Sequence, residues 1–332
     1  MQDPHVQNWL AAYLYRAEPW EPFLQEAVQP FVRQILSEGL ADGYFFIRYW
    51  EQGPHVRLRF HGNPQILAEK VRPRLEAHFS AYFDKQPSHR DLSMWPKERH
   101  SELLPNDHVH FTPYEPEYDR YGGKAGIVIA ERHFQASSEA TFAALDEVAG
   151  WTYERALGLA IQMHLGFAHA MEMKPIELLA FFRRIAYMWM GRAYYLSPDA
   201  PQEDHARLIA ETQDAFATAW ESQKEGLVEF CGTLWQGLRE AMDFDQAWFK
   251  TWQMALAETH MDLHQTAAEI DFPNLRMPIP DGLHEDRVRY WPILESYIHM
   301  TNNRLGILNR DEAFLGFLID QSMQTLLGEE KP

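Results

Sequence analysis

Residues 53–62, "GPHVRLRFHG", alternate strictly: Val56, Leu58 and Phe60 are apolar, and His55, Arg57, Arg59 and His61 fall between them. A two-residue period predicts a strand with one apolar and one basic face, so Arg57 and Arg59 share a surface. "GYFFIRYW" (43–50) is aromatic and β-prone, and "EQGP" (51–54) turns the chain between the two to make a hairpin. "NWLAAYLYRA" (8–17) predicts an earlier strand. Between these strands Phe23, Leu24, Val28, Phe31, Val32 and Ile35 keep the period of a helix over 21–40, with Pro30 an irregularity. A second helix is predicted over 63–83. "HVHFTPYEP" (108–116) and "GIVIAERHF" (126–134) read as extended, on either side of a turn at Gly122 and Gly123. From Ser137 onward the pattern is helical, with breaks at "LSPDAP" (196–201) and in the Pro-rich "DFPNLRMPIPDG" (271–282). The expected fold is therefore α+β. An antiparallel, ferredoxin-like β-α-β-β-α-β sheet region (1–136) packs with a large helical portion (137–332), the two forming one integrated domain.

Composition narrows the function classes. The chain has 332 residues with 30 basic and 48 acidic side chains, a formal charge of −18. That balance argues against direct binding to nucleic acid or to an anionic membrane, and it makes a concentrated basic stripe conspicuous. Its 46% hydrophobic content supplies a core, and 11 Trp, 14 Tyr and 20 Phe argue against disorder. Cys231 is the only cysteine, which excludes an intramolecular disulfide framework and a thiolate zinc cage. The start shows no charged region followed by an apolar stretch, and no run reaches the roughly 18 apolar residues of a membrane span. A cytoplasmic protein is expected.

Standard cofactor and nucleophile motifs are absent: there is no GxGxxG, P-loop, GxSxG or HExxH. "HMDLH" puts His260 and His264 one helical turn apart, as in some metal sites, but a third ligand is not evident. His108 and His110 of "HVH" share a strand face, which is usually only polar. Cys231 lies in an apolar helical setting where a thiol is inert packing. Arg57 and Arg59 are more informative, because adjacent guanidinium forks on one face suit a carboxylate or phosphate. A solvated strand face would look the same. Two other stretches carry concentrated polarity. "YEPEYDRYGGKAG" (114–126) sets Glu117, Asp119 and Arg120 before a double glycine, and "YIHMTNNRLGI" (297–307) sets His299 ahead of Asn302, Asn303 and Arg304.

"FFIRYWEQGPHVRLRF", "YEPEYDRYGG" and "HMTNNRLG", in this order, resemble the glutamate-elimination domain of class I lantibiotic dehydratases, which also occurs as a stand-alone chain in thiopeptide-type bacteriocin pathways. The resemblance covers nearly the whole chain. It implies a carbon–oxygen lyase acting on a ribosomally made precursor peptide whose Ser or Thr already carries a glutamyl ester. Glutamate is expelled and dehydroalanine or dehydrobutyrine remains. The family's paired arginines fall on Arg57 and Arg59, its acidic and basic residues before the double glycine on Glu117 and Arg120, and its C-terminal histidine on His299. His299 is then the proton-transfer group, Arg57 and Arg120 serve catalysis with Glu117 orienting an arginine, and Arg59, His55, Asn303 and Arg304 bind substrate.

The same resemblance implies a separate glutamyl-tRNA-dependent glutamylating enzyme as partner. A homodimer is compatible with the sequence, which fixes no oligomeric state. No metal or other cofactor is expected, because elimination leaves oxidation state unchanged. Two alternatives stay open: a pyridine-forming [4+2] cycloaddition enzyme, similar in fold but without the eliminating residues, and a non-catalytic peptide-binding subunit.

Overall fold

The computed structural model describes residues 3–147, 150–193 and 201–329. The chain divides into two compact units. The first comprises 1–117 with 134–151, and the second 118–133 with 152–332.

The first unit is built on four antiparallel strands, β1 (Trp9–Tyr15), β2 (Gly43–Tyr49), β3 (His55–His61) and β4 (His108–Thr112), in the spatial order β2-β3-β1-β4. Helices follow β1 and β3, so the α+β class and the β-α-β-β-α-β succession hold. The expected alternation sets the pairing register. Val56, Leu58 and Phe60 turn to the side where Leu14, Phe46, Phe23, Phe31 and Phe79 form the core, and all are buried. The two helices, over 21–37 and 64–85, each contain a π-helical turn, at Leu24–Val28 and Leu67–Val71. Each turn ends two residues before a proline, Pro30 or Pro73. A proline ring clashes with the carbonyl four residues back and donates no hydrogen bond, and widening the preceding turn relieves both.

One expectation is overturned. "GIVIAERHF" is not extended but lies inside the helix Gly123–Glu147. Its β-branched run suggested a strand, yet Ile127, Ala130 and Phe134 are buried and Val128 is exposed, which is a helical stripe. Packing outweighs the small intrinsic preference of Ile and Val. The turn before it stands: Gly122 and Gly123 hold φ of +88° and +78°, where side chains other than glycine are strained.

The second unit is helical, with long helices at Tyr153–Ala170, Pro175–Ala193, Gln202–Arg239, Ala247–Gln265, Trp291–Leu305 and Asn309–Glu329. The last of these packs extensively along 175–193. The break at 271–282 is a loop as expected. The other, at 196–201, falls outside the described residues except for Pro201.

Candidate active site

In the first unit, β3 presents its basic face against aromatic side chains set by register. Tyr13 of β1 and Ile47 of β2 sit directly opposite Arg57, while Ala11 and Phe45 flank Arg59. The Arg57 guanidinium lies 3.5 Å from the Tyr49 ring centroid and 4.5 Å from that of Tyr13, a cation–π arrangement. Its Nη2 donates to Glu51 (3.1 Å) and its Nε to His55 Nε2 (3.1 Å). His55 Nδ1 is 2.8 Å from the Gly53 carbonyl, so that nitrogen carries the ring proton and Nε2 is free to accept from Arg57. Burial, with Arg57, Arg90 and His110 nearby, pushes the His55 pKa down to about 4 and keeps the ring neutral.

Arg59 is more enclosed, stacked at 5.1 Å on Phe45 and 4.8 Å on Tyr114. Its buried Nε has no hydrogen-bond partner. Burial lowers its pKa, against the opposing pull of Tyr114 and Tyr13.

In the second unit a cavity of about 1240 Å³ is lined by Asp119, Arg120, Arg184, Trp189, Ser296 and His299, among others. Arg120 sits on the single turn Tyr118–Tyr121 and its Nε donates to Ser296 Oγ (3.1 Å). His299, on the 291–305 helix, stacks on Trp189 with ring centroids 4.6 Å apart and planes 24° from parallel. Its Nδ1 is 2.8 Å from Glu312 Oε1. Glu312 is 1% exposed, in the first turn of the 309–329 helix, and its other oxygen accepts from Asn302 Nδ2 (3.1 Å). Asn302 Oδ1 in turn faces His164 Nε2 at 2.7 Å. Burial raises the Glu312 pKa even though His299 and Arg120 pull it down. A partly exposed imidazole backed by a buried carboxylate, with a guanidinium on the same cavity, is equipped to move a proton next to developing negative charge.

Arg120 and His299 are thus brought together on one cavity. Arg57, Arg59 and His55 form a separate cluster on the sheet of the first unit. Glu117 is exposed and immediately precedes the Arg120 turn. His55, expected to touch substrate, is fully buried and holds Arg57 instead. Arg304 is fully buried too, and its Nη1 donates to the Met300 carbonyl of the same helix. Asn303 is half-buried, and its carbonyl accepts the capping N–H of Gly306. The sequence reading missed Glu312, Trp189, Ser296 and His164. Part of this was visible: Ser296, His299 and Asn302 recur every three residues, a polar line along one side of the helix.

The lesser candidates resolve simply. His260 and His264 do stand together, ring centroids 4.5 Å apart, but among the described residues no three His, Cys, Asp or Glu side chains gather where a metal could be held. Cys231 is buried, and burial pushes its thiol up to about 11, the inert setting expected. Among the described residues no helix is long and apolar enough to cross a membrane.

Comparison with known proteins adds to this geometry. Residues 9–323 match the family described as lantibiotic biosynthesis dehydratase C-term. Subtilin biosynthesis protein SpaB of Bacillus subtilis is 29% identical over 134 residues, 40% of this chain but only 11% of that protein. The fold is similar to that of the pyridine synthase TbtD from thiomuracin biosynthesis, with a TM-score of 0.73 and 17% identity over 97% of this chain and 99% of that one. It is also similar to the tRNA-dependent lantibiotic dehydratase MibB from Microbispora sp. 107891, with a TM-score of 0.59 and 23% identity over 100% of this chain and 29% of that one. These likenesses in fold extend over the whole chain, and the family match runs from β1 into the last helix. The chain belongs to the lantibiotic biosynthesis dehydratase C-terminal family.

Proposed function

We propose that this chain is a lyase that eliminates glutamate from glutamylated Ser or Thr in a ribosomally made precursor peptide. The observation that carries this reading is the His299–Glu312 pair beside the Arg120 guanidinium on one cavity. In β-elimination a base takes the Cα proton, the C–H electrons form the Cα=Cβ bond, and the Cβ–O bond breaks to release glutamate as a carboxylate. His299 handles the proton, and Arg120 stabilises the negative charge that develops. Arg57, with Arg59 behind it, recognises the glutamyl anion, and Glu117 orients an arginine. The peptide reaches this chain already glutamylated by a separate enzyme that uses glutamyl-tRNA.

The test is a synthetic peptide bearing a glutamyl ester on Ser, incubated with the 332-residue chain. Mass spectrometry is expected to show loss of glutamate and a dehydroalanine in its place, with or without a chelator. The likeness to TbtD over nearly the full length of both chains favours a second reading, pyridine formation. That reading expects the ester to stay intact and an already dehydrated peptide to be converted instead. Tight peptide binding with neither product would leave a delivery subunit.

Arg57→Ala is expected to lower kcat/KM for the ester about ten- to a hundred-fold, the worth of one charged hydrogen bond. Arg57→Lys should recover little, because an ammonium cannot both stack flat on Tyr49 and reach Glu51 and His55 with separate N–H groups. A wild-type kcat/KM in Arg57→Ala would remove this residue from anion recognition.

A further inference from the structure

Glu312 is the buried partner of His299, and the elimination steps leave its own part open. We propose that Glu312 is a positioning residue that decides which nitrogen of His299 carries the proton, as the third member of an oriented chain His164–Asn302–Glu312–His299. The inference deepens the elimination reading and rests on it only for the reaction used as an assay.

The direction of the chain is set at its buried end. His164 is fully enclosed, its Nδ1 has no partner, and its Nε2 faces the Asn302 carbonyl oxygen at 2.7 Å. A neutral imidazole has one N–H, and an oxygen opposite Nε2 places it there. With its oxygen committed to His164, Asn302 can offer only its amide N–H₂ to Glu312, and it does so at 3.1 Å from Oε2. Oε2 is thereby an acceptor, and Oε1 is left to accept from His299 Nδ1 at 2.8 Å. With Nδ1 donating, Nε2 of a neutral His299 keeps a bare lone pair. The ring cannot readily rotate away from this choice, because it is stacked on Trp189. Four side chains from three helices therefore present His299 Nε2 as a proton acceptor, which assigns His299 the part of base.

This chain makes an unusual demand on variants. In Glu312→Gln the size is kept, but the Asn302 N–H₂ still requires an oxygen. The glutamine carbonyl turns to it, its own N–H₂ faces His299 Nδ1, and neutral His299 must move its proton to Nε2. That tautomer cannot accept a proton, so kcat for elimination is expected to fall ~10²–10⁴-fold with KM little changed. Adding Asn302→Asp should reverse the effect. An aspartate at 302 accepts from His164 on one side and from the glutamine N–H₂ on the other. The glutamine carbonyl then faces His299 Nδ1 again, and the double variant should recover at least tenfold over Glu312→Gln. A purely structural role for Glu312 expects the opposite, since two changes in one buried network would add their losses.

Nitrogen-15 NMR of histidine-labelled protein reads the tautomer without any turnover, with the His299 signals identified by their absence in His299→Gln. Wild type and the double variant should show Nδ1–H, and Glu312→Gln should show Nε2–H. An Nε2–H tautomer in the wild-type protein, or a double variant no more active than the single, overturns the inference. If the wild-type chain releases no glutamate from the ester, the elimination reading fails instead, and the NMR result still decides the role of Glu312.

Discussion

His299→Ala is expected to bind glutamylated peptide with near wild-type affinity while eliminating glutamate ~10²–10⁴ times more slowly, the usual cost of losing an acid–base group. Two features make a clean result feasible. The histidine side chain is 20% exposed, so its removal leaves no sealed void. Glu312 loses one partner but keeps its hydrogen bond from Asn302. Single-turnover elimination and peptide affinity, measured on the same preparation, separate the two effects. In a reaction coupled to a glutamylating enzyme the variant should accumulate glutamylated peptide. Unchanged elimination by His299→Ala would mean that the proton is moved by another group.

Gly126→Ala is expected to be the most damaging small substitution near the cavity. A methyl group at Gly126 would lie 1.8 Å from the Tyr121 carbonyl oxygen, which is backbone and cannot swing aside. One turn earlier, a methyl group on Gly122 would stand 2.6 Å from Ile270. These glycines let the turn that carries Arg120 fold closely onto the start of the 123–147 helix. Forcing a methyl group in should cost about 3 kcal/mol, the upper end for overpacking, and lower Tm by about 5 °C or more. Arg120 should lose its contact with Ser296 as the turn shifts, so kcat should fall as well. Gly158→Ala is the control. Gly158 is also helical and nothing lies within 4 Å of the added methyl, so a gain of roughly 0.5–1 kcal/mol is expected there. Equal melting temperatures for Gly126→Ala and wild type would contradict the close packing at Tyr121.

The sheet was legible because its alternation is strict and its hairpin turn is short. Val56, Leu58 and Phe60 could face only one way, and both neighbouring strands took their register from that. The "GIVIAERHF" stretch misled because three consecutive β-branched or branched residues outweighed a weak helical stripe, and only the packing of Ile127 and Ala130 decides the matter. Arg57 and Arg59 could be placed on one face, but their depth could not be read. A basic strand face looks solvated until the aromatic side chains around it are known; Tyr49 and Phe45 come from the neighbouring β2, but Tyr13 and Tyr114 are far away along the chain. Glu312 was illegible for a similar reason. It is one of two acidic residues at a helix start, an ordinary place for a carboxylate, and only the turn between the last two helices sets it against His299. Asn302 was passed over for Asn303 because helix phase, which a pair of identical neighbours conceals, determines which of the two points inward.

The 25-residue helix Gly123–Glu147 belongs to both units, its opening to the second and residues from Phe134 on to the first. Phe142 stacks on Tyr44 and Phe46 of β2, and Leu145 joins the same core, so the sheet cannot bury its apolar face with the first 117 residues alone. During synthesis at roughly 5–20 residues per second, the nascent sheet waits about 2–7 s for the 34 residues from 118 to 151 to be added. Over that interval the aromatic face of β2 is a target for chaperones and for self-association, and pausing of the ribosome within this stretch should lower the yield of folded protein more than pausing in the helices that follow.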